Sequence, residues 1–306
     1  MQYVRPSVIF HTPRFQAHLR SLSSGASREP LILVLDVDET LWRSHVPGVH
    51  KSKPPVNYDF KVEISTGGER LTSAPTAWSS SNTHLDNEPR EQGRHSKTCH
   101  VTLRPGLRKF FKWILERRSQ GVLEGPWIFT QGSASYLNAI MPQLDPDGEL
   151  FGDRILTRKA CLRMETPWPW VHKELTHVPC GTRNQADTER MILVENNVMS
   201  CLLYPDNGLL VHDWTGDNVF DRELRRVSEI LDDVLSAPSN DYASRLALLT
   251  PGHKHFRQEL AQLHDCILRG LPAGRSKDEA IKELWWQALR AKRRLLDQQG
   301  ARNDAE

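Results

Sequence analysis

The chain has 306 residues, enough for one large domain with an appendage and a sizeable buried core. Apolar residues make up 38% and charged residues 25%, and no apolar run approaches the ~18 residues of a membrane span. The net charge of +2 gives no bulk argument for a nucleic-acid or membrane-surface partner, and five scattered cysteines without a C-x-x-C pair suggest neither a disulfide framework nor a zinc site.

The first 28 residues carry Arg5, Arg14, Arg20, Arg28 and several serines but no Asp or Glu, a composition shared with mitochondrial transit peptides. Pro6 and Pro13 interrupt the amphipathic helix that such peptides form. Residues 1–29 therefore read as a basic tail. The cysteine usage fits an intracellular, nuclear or cytoplasmic protein, with a mitochondrial one as the alternative.

Leu31 to Leu35 is an apolar run too short for a helix and suited to a strand buried on both faces. Trp127 to Phe129 and Met191 to Val194 resemble it. Residues 65–98 are rich in Ser, Thr, Asn and Gly and cannot bury enough surface to offset their ordering entropy, which predicts a long insertion. Tyr58 to Ile64 and Cys99 to Leu103 alternate well enough to pair as a hairpin around it. Helical periodicity appears at Leu107 to Arg118 and near Ser135 to Gln143. From Asp221 onward it returns at about Asp221 to Ser236, His253 to Leu268 and Lys277 to Gln298. The fold class that follows is α/β: a Rossmann-like parallel sheet in residues 30–236 with a small β-hairpin insertion, then a helical C-terminal extension, 237–306. In the last helix Leu284, Trp285, Ala288, Leu289 and Leu296 form an apolar stripe that docks on the core or binds a protein partner. Its basic residues Lys282, Arg290, Lys292, Arg293 and Arg294 read as a solvated face.

Each of the three apolar runs ends abruptly in polar residues: Asp36-Val37-Asp38-Glu39-Thr40, Thr130-Gln131-Gly132 and Glu195-Asn196-Asn197. Ligands of open parallel sheets bind outside the carboxyl ends of the strands, so these groups are expected to converge. Asp36 and Asp38 sit two apart, where like charges call for a counter-ion. Oxygen donors suit a hard divalent cation, and Mg²⁺ takes one or two carboxylates, waters and a substrate phosphate, with Asn196 and Glu195 as further candidate ligands. A carboxylate at such a centre can attack phosphorus, which gives Asp36 the role of nucleophile and Asp38 that of general acid and base. Thr40, Thr130, Gln131 and a lysine are the candidate phosphate-binding groups. The plain structural alternative is a turn in which Asp36 caps a helix and Asp38 is solvated.

DVDETL after an apolar strand resembles the motif of the haloacid-dehalogenase-like phosphatases, in particular the branch typified by the RNA polymerase II carboxyl-terminal-domain phosphatases and their small relatives. LRPGLRKFF, LDPDGELFGDRILTRKAC, VHKELTHV and LLYPDNGLLV are similar to that branch too, so the resemblance spans roughly Leu31 to Leu235. It implies Asp36 as nucleophile, Asp38 as acid/base and metal ligand through its carbonyl, Thr130 and Lys173 as phosphate ligands, Mg²⁺ as cofactor and a phosphoprotein as substrate. One departure stands out: Glu195 occupies a position where the branch has Asp, and its extra methylene is expected to displace the metal or a water. Two rivals remain. One is a binding module that keeps the fold without the activity, as in a component of the mitochondrial protein-import translocase that resembles this branch. The other is a small-metabolite phosphatase, which would be expected to carry a closing cap. Trp168 and Trp170 are candidates for a groove wall or for packing.

Overall fold

The computed structural model describes residues 29–47, 57–65, 96–164, 170–180, 185–236, 241–250, 255–262 and 277–303. The basic tail to residue 28, most of the Ser-rich insertion and Trp168 lie outside them.

The main sheet has five parallel strands in the order β10-β9-β1-β5-β6. They are β1 (Leu31–Leu35), β5 (Leu123–Phe129), β6 (Ile155–Leu156), β9 (Met191–Glu195) and β10 (Gly208–Leu210). β1 lies at the centre, and its five apolar residues are fully buried, as expected of a strand with helices on both faces. Leu31, Leu33 and Leu35 pack in one cluster; Ile32 and Val34 pack in the other, so the two-residue period of the strand divides the core into two layers. The first layer is filled by α1 (Leu107–Ser119), α2 (Ala134–Leu144), α4 (Glu223–Leu235) and α5 (Tyr242–Leu249). α1 buries Leu107, Phe110, Phe111 and Ile114, the helical face read from the sequence. A short α3 (Gln185–Glu189) leads into β9.

The predicted hairpin forms and gains a strand. β3 (Phe60–Ser65) and β4 (Ser96–Leu103) pair antiparallel, and β2 (Trp42–His45) joins β4 on its other side. Val62, Ile64, Cys99 and Val101 point inward while Lys61 and Glu63 face solvent. β7 (Leu162–Met164) and β8 (Trp170–His172) make a separate hairpin.

The second layer receives Phe256 and Leu260 from the helical stretch 255–262, and Ala288, Ala291, Leu295 and Leu296 from α6 (Lys277–Asn303). The C-terminal helix thus docks on the core, against the turn Val198–Cys201 that follows β9. The sequence reading of its basic residues as a solvated face needs one correction. Lys292 is buried, because it lies four residues after Ala288 and three before Leu295 on the core-facing side. No helix among the described residues is long and apolar enough to cross a membrane.

Candidate active site

Parallel registry sets the site. Leu35 is paired with Val194 and with Ile128, and the Asp36 amide donates to the Val194 carbonyl at 2.9 Å. Asp36, Thr130 and Glu195 therefore leave the carboxyl edge of β1, β5 and β9 side by side. The chain then turns tightly: Leu41 N donates to Val37 O at 2.8 Å, and Glu39 sits at φ 63°, an unfavourable region for a residue with a side chain. Arg104, itself buried, clamps this turn by donating to the Thr40 carbonyl at 3.1 Å while a fork of two 2.9 Å bonds holds it to Asp221.

At the centre lies Lys173, which follows β8 and is 1% exposed. Its ammonium donates to Asp36 Oδ1 and to Glu195 Oε2. Burial alone would lower its pKa, but the two carboxylates outweigh that and raise it, so Lys173 is a fixed cation. Glu195 is pushed up to about 7, by burial first and by the Asp36 charge second, with Lys173 opposing. Its other oxygen accepts from the Asn197 amide at 2.8 Å. The longer acid at this position is thus engaged behind Asp36, on Lys173 and the backbone.

The Thr40 hydroxyl lies 2.9 Å from Asp36 Oδ2 and 3.3 Å from Asn196 Oδ1. Its single hydrogen serves one of them, which leaves two converging acceptor oxygens. Asn196 is oriented by its own donors, Nδ2 to Asp213 Oδ1 at 3.0 Å and to Glu39 Oε2 at 3.4 Å. Asp36 Oδ2 and Asn196 Oδ1 form an oxygen-only donor pair, which fits a hard divalent cation with few carboxylates. Among the described residues no group of three or more His, Cys, Asp or Glu stands together as a metal site would need.

Asp38 faces the opposite way. Tyr136 OH donates to Asp38 Oδ1 at 2.5 Å, accepts from Trp42 Nε1 at 2.8 Å and contacts Ser44 Oγ. Desolvation pushes the Asp38 carboxyl up to about 7; Tyr136 opposes this, while Asp36 and Glu39 add to it. An acid poised near neutrality suits proton transfer in both directions. It opens on a cavity of about 400 Å³ between the three-stranded sheet and the start of α2, lined also by Arg43, Lys97 and Arg158.

Thr130, buried, accepts from the Gly132 amide at 3.0 Å and keeps its hydroxyl proton available to an incoming oxygen. Gly132 permits this closeness, since a Cβ there would stand 2.9 Å from Tyr136 Cδ1 and 3.3 Å from Thr130 Oγ1. Gln131 is half-buried, with its side-chain amide donating to Val171 O at 3.3 Å and its carbonyl accepting from Arg158. Asp36, Asp38, Thr40, Thr130, Lys173, Glu195 and Asn196 are brought together as the sequence suggested. Tyr136, Asp213 and Lys292 were not singled out. Only Lys292 carried a signal, a charge in register with an apolar stripe.

Against known proteins, the family model described as NLI interacting factor-like phosphatase matches residues 31–242. An RNA polymerase II C-terminal domain phosphatase of Saccharomyces cerevisiae is 32% identical over 136 residues, 42% of this chain. The match spans only 17% of that protein's length. Among solved structures, the fission yeast RNA polymerase II CTD phosphatase Fcp1 bound to beryllium fluoride aligns at a TM-score of 0.37 and 18% identity, covering 90% of this chain and 64% of that one. A second Fcp1 structure aligns at 0.38 and 18%, covering 77% and 65%.

Proposed function

The chain belongs to the NLI interacting factor-like phosphatases, and from that membership we propose that it hydrolyses phosphoserine or phosphothreonine in a protein, with Mg²⁺ and through an aspartyl-phosphate on Asp36. The observation that carries the reading is the pairing of two carboxylates in different environments. Asp36 is buried with its carboxylate on the Lys173 ammonium, while Asp38, in a separate environment on Tyr136, has a pKa near neutrality.

In the first half-reaction an Asp36 oxygen forms a bond to phosphorus, the ester P–O bond breaks, and Asp38 gives its proton to the departing serine or threonine oxygen. In the second, water attacks phosphorus, its proton passes to Asp38, and the bond to Asp36 breaks to release phosphate. Lys173 and Thr130 hold phosphoryl oxygens throughout, which stabilises charge in a site preorganised by the sheet. Asp36, the Asp38 carbonyl and Asn196 would hold the Mg²⁺ ion, with Glu195 behind them, and its charge would offset that of the phosphoryl group. The cavity beside Asp38 is lined by Arg43, Lys97 and Arg158, cations that suit an acidic or phosphorylated peptide.

The second reading, a binding module without turnover, is favoured by one observation: Lys173 is shared between Asp36 and Glu195 rather than left to the phosphate. Hydrolysis of p-nitrophenyl phosphate and of a phosphoserine peptide, with and without Mg²⁺, separates the two. Metal-dependent turnover that Asp36→Asn abolishes is expected, with Glu195→Asp faster as Lys173 is freed. Turnover no higher than the Asp36→Asn background, in both the native chain and Glu195→Asp, establishes the binding module instead.

A further inference from the structure

Lys292 lies outside residues 31–242 and yet reaches the site. Its ammonium donates to the Asn196 carbonyl at 2.5 Å and to Asp213 Oδ1 at 2.6 Å, and the same Asp213 oxygen accepts from Asn196 Nδ2 at 3.0 Å. The three residues close a ring. A charged side chain among Ala288, Ala291 and Leu295 is costly to bury unless its partners are fixed, and here both partners belong to the carboxyl edge of the sheet or the loop beyond it.

An amide side chain can present either its oxygen or its nitrogen to a given neighbour. Asp213, with Glu39 at the longer distance, settles this for Asn196 by accepting from Nδ2, which turns Oδ1 toward the Thr40 hydroxyl that also meets Asp36 Oδ2. The Asp213 carboxylate is half-exposed, with 51% of its side chain open to solvent, so it needs an anchor of its own. Lys292, with a side chain 8% exposed on a helix packed against the turn after Asn197, supplies it.

We propose that Lys292 is a positioning residue for the metal site, acting through Asp213 to hold Asn196 Oδ1 toward Asp36, so that the C-terminal helix is part of the catalytic apparatus. This rests on the metal reading of the proposed function. The sign of its effect separates it from simple electrostatics. An ammonium near an incoming cation repels it, so charge alone would make removal of Lys292 tighten metal binding; positioning makes removal weaken it.

The test is Mn²⁺ binding to the full chain by isothermal titration calorimetry, without substrate, beside thermal melting. Lys292→Met is expected to weaken Mn²⁺ about tenfold, the lower end of what loss of an outer-sphere partner does to metal affinity, and Lys292→Arg to restore most of it. Asp213→Ala, at a half-exposed position that leaves α6 its packing, is expected to weaken Mn²⁺ similarly. The double variant is expected to be no worse than either single one, because both break one ring. Unchanged or tighter binding in Asp213→Ala, or in a folded Lys292→Met, overturns the proposal and leaves the proposed function standing. Failure of the native chain itself to bind Mn²⁺ overturns the metal reading and this proposal with it.

Discussion

Lys173 holds two carboxylates that would otherwise repel each other in a dry site, so its removal should be felt well beyond catalysis. Lys173→Met removes the counter-charge, and Glu195, already pushed up, must then take up a proton to stay beside Asp36; up to about 3–5 kcal/mol of stability should be lost, read as a fall in the urea midpoint that is larger at higher pH. Adding Glu195→Gln should remove that pH dependence, since no proton then has to be gained. Gly132→Ala tests the packing around Thr130. Its new methyl must displace Tyr136 or the Thr130 hydroxyl, and a loss of about 1–3 kcal/mol together with lower turnover is expected from denaturant and kinetic measurements. Asp36, Asp38 and Thr130 were legible in the sequence because each follows an apolar run that breaks off into polar residues. Tyr136 was not, because a tyrosine on an amphipathic helix looks the same whether its hydroxyl meets water or a buried carboxylate.

Helix α4 begins with a carboxylate that stabilises the fold in a pH-dependent way. Burial of Glu223 works against its charge, but bonds from His212 and Arg226 more than offset this and hold its carboxyl well below the usual carboxylate range. The unfolded chain then takes up a proton at a higher pH than the folded one. The stabilisation is full above the ordinary value near 4.5 and is lost as the pH falls through it toward the lower folded pKa. Melting temperature followed from neutral to acid pH should therefore drop less steeply in Glu223→Gln, which begins less stable and has no such proton to gain. At this scale the long elements were legible and the short ones were not. β6 has two residues and β10 three, too few to show a period, and both exist because a neighbouring strand offers its edge. α5 is eight residues long, and it is held by tertiary contacts: Tyr242 and Leu246 in the core and the Tyr242 hydroxyl donating to the Glu29 carbonyl at 2.6 Å.

Across the whole molecule, the C-terminal helix and the sheet share one apolar layer, so they should unfold together. Leu295→Ala opens a cavity against the second cluster, and about 2–5 kcal/mol should be lost in a single transition that is the same by far-UV circular dichroism and by tryptophan fluorescence. Two separate transitions would show instead that α6 is an independent unit. The parallel α/β sheet could be read from the alternation of strands and helices, whereas the docking of α6 depends on which of its faces meets the sheet, and only packing decides that. The central position of β1 also governs how the chain is made. Its partners are β5, some ninety residues later, and β9, some one hundred and sixty later, counted from the registry of Leu31 with Leu123 and of Ile32 with Met191. Of the five strands of the main sheet LILVL is made before its two partners, an uncharged apolar run left with both edges unpaired until β5 and then β9 follow.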